Sequence, residues 1–270
     1  MINLLYCGND KIFDGTLLSL LSIVKHNKQP LNVIIFSLDL TNLNPNYTIF
    51  SEEHRVFLEN EIKKVNSESK VTVLDVKKQY EESMASCKNE KTMYTPYALI
   101  RLLADKVEDI PDKVLYLDYD TMAYNNISEL YDIDITNYEL AGVLDYYGKF
   151  YIDKNYMNSG VLLLNMKEIK QTKLFSRCIE LLHVKKMMLP DQSAINKLVK
   201  RYKLLPSKFN EQHKLQPDTV VRHFSAIVKY FPFPHKCNIK PWHTDKLHKK
   251  YKCFEFDDII EYWKKITNKV

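Results

Sequence analysis

Glycine is scarce in this sequence, with five residues in a chain of 270, and proline contributes ten. No stretch is of low complexity and no internal repeat is visible, which argues against a disordered chain, a long flexible linker or a repeat array. Long apolar runs are missing too. None approaches the ~20 residues of a membrane-spanning helix, and the run from Met1 to Cys7 is too short for a secretory leader before it meets Asp10. Cysteine offers no framework: Cys7, Cys87, Cys178, Cys237 and Cys253 are odd in number, scattered and without a C-x-x-C pair. Such usage fits reduced thiols in a cytoplasmic protein rather than disulfides or a zinc site, so the sequons at Asn46 and Asn126 carry little meaning. Net charge is a mild +5. With no nucleic-acid-binding motif beside it, that balance argues against nucleic acid and suits anionic ligands or an anionic membrane surface.

What is present is a core and an alternation. Hydrophobic residues make up 45% of the chain, enough to bury the interior of one large domain. Ile2 to Cys7 reads as a strand ending in the polar loop Gly8-Asn9-Asp10, and Gly15 to His26 sets Leu17, Leu18, Leu21 and Val24 on one helical face. Val33 to Phe36 is too short for a helix. Ser51-Glu52-Glu53 opens a helix with a capping serine and an acidic first turn, continuing to about Val65. Val71 to Asp75 is a strand, Thr95-Pro96 begins a helix, and Lys113 to Leu117 is a strand running into Asp118. Beyond it come a strand over Leu140–Leu144 ending at Asp145, another over Val161–Leu164, helices near 173–186 and 191–200, a late strand over Tyr202–Leu205, and an amphipathic helix near 257–268. This order predicts an α/β fold with a mostly parallel sheet covered on both faces. Ligands of such sheets bind at the carboxyl ends of strands, where Asn9-Asp10, Asp75 and Asp118–Asp120 all fall. The expected organisation is a catalytic domain over 1–230 followed by an extension over 231–270.

Asp118 and Asp120 close a strongly apolar strand with one residue between them. In extended backbone alternate residues point the same way, so both carboxylates face one ligand. Two hard oxygen donors suit Mg²⁺ or Mn²⁺, which keep positions open for water and phosphate oxygens. A lone D-x-D is more often a solvated turn, so its company decides. Lys113-Val114-Leu115-Tyr116-Leu117-Asp118-Tyr119-Asp120-Thr121 resembles the kvlYlDxD signature of glycosyltransferase family 8, which includes glycogenin and bacterial lipopolysaccharide glucosyl- and galactosyltransferases. Asn158-Ser159-Gly160 with the apolar run to Asn165, the Asp191-Gln192 pair, His223-Phe224 and Lys240-Pro241-Trp242 resemble further family segments in the same order, over roughly residues 1–245.

The resemblance implies a GT-A, Rossmann-like fold, a UDP-sugar donor, Mn²⁺ and retention of anomeric configuration. It makes Asp118, Asp120 and His223 the metal ligands, bridging the protein to the donor diphosphate. It places Arg101 along the donor site, Asn158 and Asp191 at hydroxyls of the transferred sugar, and Asp145 near the acceptor. Gln192 falls where the family has the residue closest to the β-face of the anomeric carbon. The activity implied is transfer of a hexose, glucose or galactose, to a saccharide, lipid-linked or protein-linked acceptor, as in polysaccharide biosynthesis. A glutamine is a poor nucleophile, which favours front-side substitution over a covalent sugar adduct.

Departures from the family pattern keep alternatives open. The first loop lacks the usual tyrosine; Asn9 and Asp10 are expected at base and ribose, with Cys7 and Tyr119 also counted at the donor site. The H-x-x-G-x-x-K-P-W ending is broken by an insertion, so Lys229 and Lys240 compete for the diphosphate, and His243 rivals His223 as third ligand. Plainer readings stand beside these: a salt bridge for Arg101, a loop cap for Asp145, turn chemistry for Asn158, a helix N-cap for Asp191. The last helix carries Ile259, Ile260, Trp263 and Ile266 on one face beside Lys264, Lys265 and Lys269. It either docks on the domain or makes a peripheral contact with the inner membrane leaflet. Functional rivals are a haloacid-dehalogenase-type phosphatase, which also uses D-x-D, and a non-catalytic nucleotide-sugar binder. The sugar, the acceptor and the oligomeric state are not legible.

Overall fold

The computed structural model describes residues 1–90, 95–229, 233 and 235–269, with the backbone alone at 228, 229, 235 and 236. Its first part runs β1 (Ile2–Cys7), α1 (Phe13–His26), β2 (Leu31–Ser37), α2 (Glu52–Lys63), β3 (Lys70–Asp75), α3 (Lys77–Ser83), β4 (Lys113–Leu117), β5 (Thr121–Ala123) and α4 (Ser128–Tyr131). There follow β6 (Leu140–Leu144), α5 (Gly148–Tyr151), β7 (Met157–Asn165), α6 (Met166–Thr172), α7 (Leu174–Val184), α8 (Pro190–Leu198) and β8 (Tyr202–Leu205). Last come β9 (Val221–His223), β10 (Ile227–Lys229), β11 (His235–Cys237), α9 (Thr244–Lys246) and α10 (Asp257–Thr267).

Seven strands form the central sheet in the order β3-β2-β1-β4-β7-β6-β8. All pair in parallel except at β7, which runs antiparallel to both β4 and β6. Side chains alternate across the sheet, as the two-residue period of a strand requires. Ile2, Leu4 and Tyr6 of β1 enter the core under α1, α2 and α10; Leu5 and Cys7 enter the opposite core with α3, α6, α7 and α8. Helices therefore cover both faces, and the expected mostly parallel α/β fold is the one observed.

Two local expectations differ. The helix opening at Thr95-Pro96 is instead a pair of 3₁₀ segments, Pro96–Ala98 and Ile100–Lys106. Every residue from Ile100 to Ala104 is buried there, so packing rather than propensity sets the pitch. The helix near 173–186 is preceded by α6, which Asn165 caps by accepting from Glu168 N; left-handed Lys173 (φ 53°) separates the two. The apolar face of α10 is used inside the fold. Ile259, Ile260 and Trp263 are buried, Trp263 Nε1 donates to Asp14 Oδ1 at 3.1 Å, and Lys25 pairs with Asp258 at 2.6 Å. That packing removes the face on which membrane contact by this helix depended. Among the described residues no helix is long and apolar enough to cross a membrane.

Candidate active site

The reversed strand gathers the motifs. Because β7 runs against β4, its first residues lie beside the last residue of β4: Leu117 pairs with Val161, and Asp118 N donates to Gly160 O at 2.8 Å. On the other side of β7, Asp145 follows β6 and its N–H donates to Tyr156 O at 2.8 Å. The short β5 and β9 pair antiparallel with Thr121 opposite His223, and Phe224 N donates to Asp120 O at 2.9 Å. Helix α8 starts at Pro190 with Leu189 in the cap position, so Asp191 and Gln192 lie inside its first turn rather than capping it. Gln192 Oε1 accepts from Ser159 N at 2.9 Å.

The two carboxylates do not converge by strand alternation. Thr121 N donates to Asp118 O at 3.1 Å, closing a turn over Asp118–Thr121 that swings both side chains toward β9. His223 Nε2 then lies 3.7 Å from Asp118 Oδ2 and 3.2 Å from Asp120 Oδ1. One ligand atom from each of Asp118, Asp120 and His223 falls within 4.8 Å of the others. The floor of this cluster is Gly160. A Cβ added there would meet His223 Cε1 at 2.2 Å and Asp118 Oδ2 at 2.8 Å, so only a residue without a side chain permits the approach.

Around the cluster several polar atoms are held by neighbours. Asp118 Oδ1 accepts from Tyr116 Oη at 2.6 Å and from Arg101 Nη2 at 2.9 Å. Buried Arg101 also donates to Ser159 O at 2.6 Å, lies 4.0 Å from the Tyr116 ring centroid, and sets Nε 3.3 Å from Asp191 Oδ2. The salt-bridge reading of Arg101 is thus realised between two site acids. Burial alone would raise the Asp120 carboxyl, but Lys240 Nζ on its Oδ2 and His223 on its Oδ1 outweigh that and hold it well below the usual range. Asp191 goes the other way: burial, then repulsion by Asp118, exceed the pull of Arg101 and raise it. Asn158 Oδ1 accepts from Gly160 N and from Asn210 Nδ2, both at 3.0 Å, which fixes it as an acceptor. His223 Nδ1, 3.2 Å from that oxygen and 3.2 Å from Asn210 Oδ1, therefore carries a proton, and Nε2 is the nitrogen that faces the carboxylates.

The sequence model of Glycosyl transferase family 8 matches residues 3–246. The chain belongs to this family. Glycosyltransferase GlyA of Streptococcus pneumoniae is 33% identical over 130 residues, 47% of this chain and 18% of that protein. Probable glycosyl transferase Gly of Streptococcus gordonii is 27% identical over 225 residues, 76% of this chain and 31% of its own length. Lipopolysaccharide 1,3-galactosyltransferase of Salmonella typhimurium is 28% identical over 53% of this chain and 48% of that one. The matched region thus spans less than half the length of these curated relatives. Among solved structures, galactosyltransferase LgtC bound to donor and acceptor sugar analogues superposes with a TM-score of 0.71 at 17% identity, covering 97% of this chain and 96% of that one. That likeness fixes the fold as GT-A-like.

Within this family 8 chain, the remaining expected residues divide. His243 is outside the ligand cluster; its Nδ1 accepts from Lys240 N at 3.3 Å, leaving His223 as the imidazole of the site. Tyr119 stacks on Trp242 (centroids 5.8 Å apart) over Gly15, which ties the KPW segment to the D-x-D turn. Asp145 both caps and connects: Oδ1 accepts from Tyr147 N and Gly148 N, while Oδ2 accepts from Asn158 Nδ2 at 2.9 Å and Gln192 Nε2 at 3.2 Å. Asn9 donates to Asn46 O at 3.0 Å, and Asp10 accepts from Ser51 N and pairs with His54, so both are engaged by the neighbouring loop and helix. Asp75 accepts from Lys77 N on an exposed edge and takes no part. Cys7 is buried within electrostatic reach of Arg101, Asp118 and Asp191, and burial raises its thiol. The Lys229 side chain lies outside the described residues. Sequence reasoning named neither Asn210 nor Tyr116 as a site residue. Tyr116 was legible in the strand motif; nothing in the run around Asn210 signals its role.

Proposed function

We propose that this chain is a retaining hexosyltransferase that moves glucose or galactose from a UDP-sugar to a saccharide, lipid-linked or protein-linked acceptor. The observation that carries it is the convergence of Asp118, Asp120 and His223 within 4.8 Å over the bare backbone of Gly160. Two carboxylate oxygens and an imidazole nitrogen suit Mn²⁺, with Mg²⁺ as the harder alternative. A bound divalent cation would draw off the charge that grows on the departing diphosphate.

The chain's own groups do the rest. Arg101 holds Asp118 and Asp191 in fixed relation through Nη2 and Nε. Asp191 and Asn158 accept and donate at hydroxyls of the transferred sugar, and Asp145 faces the acceptor side. The acceptor hydroxyl attacks from the face the leaving group departs from, and its proton passes to the leaving phosphate oxygen. Gln192 stabilises the cationic anomeric carbon through its carbonyl oxygen. That oxygen accepts from Ser159 N, and Ser159 Oγ lies 3.2 Å from it and 3.3 Å from Asp191 Oδ2. With the serine hydroxyl turned to Asp191, one Gln192 lone pair is released toward the sugar. In this reading residues 1–230 form the catalytic domain and the extension 231–270 adds Lys240. The reaction is placed in the cytoplasm, where five unpaired thiols are stable. No contact among the described residues favours the phosphatase alternative.

The test is a panel of UDP-, GDP- and ADP-sugars scored for Mn²⁺-dependent hydrolysis and thermal shift. A response to UDP-hexoses alone is expected, lost when Asp118 and Asp120 are both replaced by alanine. Turnover by that double variant would overturn the assignment.

A further inference from the structure

Five of the large apolar side chains that the fold leaves in solvent stand on two neighbouring segments. Phe150 (74% exposed), Tyr151 and Ile152 belong to α5 and its end; Val184 ends α7 and Met188 (72% exposed) lies in the connection from α7 to α8. Ile152, Lys185, Lys186 and Met188 line one depression of about 510 Å³, so the two segments form a single face. Lysine accompanies them: Lys149, Lys154, Lys185 and Lys186 stand in residues 148–156 and 184–189, where Asp153 is the one acid. The Lys149 ammonium lies 5.6 Å from the Tyr146 ring centroid and 5.0 Å from that of Phe150, a cation over aromatic faces.

From this pairing we propose that the α5 turn and the 184–189 loop dock the protein on a bilayer surface bearing anionic lipid. Exposed aromatic and thioether side chains beside ammonium groups match acyl chains beneath a layer of phosphates. A soluble protein partner would be met as well by acids as by lysines, whereas the local charge here is of one sign but for Asp153. Helix α10, the other basic amphipathic element, has Ile259, Ile260 and Trp263 buried against the domain and no such face to offer. The location fits an acceptor presented at that surface. Asp145 Oδ1 holds Tyr147 N and Gly148 N at the root of α5, and Asp191 and Gln192 follow Met188 by three and four residues.

The proposal stands apart from the sugar-transfer reading, because binding is scored without donor or metal. The full chain is floated with vesicles of phosphatidylcholine alone and of phosphatidylcholine with roughly a third phosphatidylglycerol. Three double variants are compared with it: Phe150→Ser with Met188→Ser, Lys185→Glu with Lys186→Glu, and Lys264→Glu with Lys265→Glu on α10. Circular dichroism melts confirm that each is folded. Expected is flotation with the anionic vesicles only, weakened roughly tenfold or more by either of the first two pairs and unchanged by the third. Failure of the parent chain to float overturns the proposal, as does flotation lost only through the α10 pair. A dimer on gel filtration that the Phe150 and Met188 changes dissolve would make the face a contact between copies and equally overturn it.

Discussion

At the scale of single residues the site is governed by how little room it has. Gly160 is needed not for a rare backbone angle but because His223 and Asp118 occupy the space of a side chain. Gly160→Ala is expected to force the imidazole aside, destabilising the fold by about 1–3 kcal/mol and slowing turnover about 10²-fold, read from a melt and from steady-state rates. Asp191 gives a second handle. Its folded carboxyl is raised by burial, so its contribution to stability is fully present below the unfolded value and is lost as pH rises through the folded one. Asp191→Asn removes that charge. The variant should melt higher than the parent at pH 8, the gap closing toward pH 4, while under the proposed function transfer falls because an acceptor oxygen for the sugar is gone. An unchanged difference across that range would show that burial does not control this group.

Elements carry information the residues do not. The strands and the place of the D-x-D pair were legible because apolar runs end abruptly in acids, and so was α10 from its spacing; that a turn rather than extended backbone brings the pair together was not. The reversal of β7 was not, since an apolar strand reads alike in either direction; nor was the pairing of β5 with β9, each only three residues long. Those two facts place Asn158–Gly160 and His223 on Asp118 and Asp120, so motif order could name the candidate ligands but not explain their meeting. Asn210 stayed hidden because its importance lies wholly in contacts to His223 and Asn158. Helix α10 tests the idea that the last element belongs to the fold. Trp263→Ala removes a buried indole and its bond to Asp14, and should cost about 3–5 kcal/mol. At about 2–4 °C per kcal/mol for a domain of this size, a melt would show a drop of roughly 10 °C. A change of one or two degrees would mean that the helix is peripheral.

For the molecule as a whole, the arrangement of charge around Asp120 decides how ligands are taken up. Lys240 comes from the extension, beyond the broken family ending, yet its ammonium rests on Asp120 Oδ2 and on Phe224 O at 2.8 Å. Under the proposed function a cation and Lys240 share the Asp120 carboxylate, and a diphosphate offers the lysine somewhere else to go. Calorimetry should therefore find that UDP raises Mn²⁺ affinity about tenfold or more, a reciprocal coupling that Lys240→Met reduces while tightening Mn²⁺ in the absence of nucleotide. The consequence reaches back to folding. The chain brings its own placeholder, so in the folded protein the buried acid has a counter-charge without any ion. Loading then becomes an exchange of partners, in which the incoming anion releases the tether that had kept the seat warm.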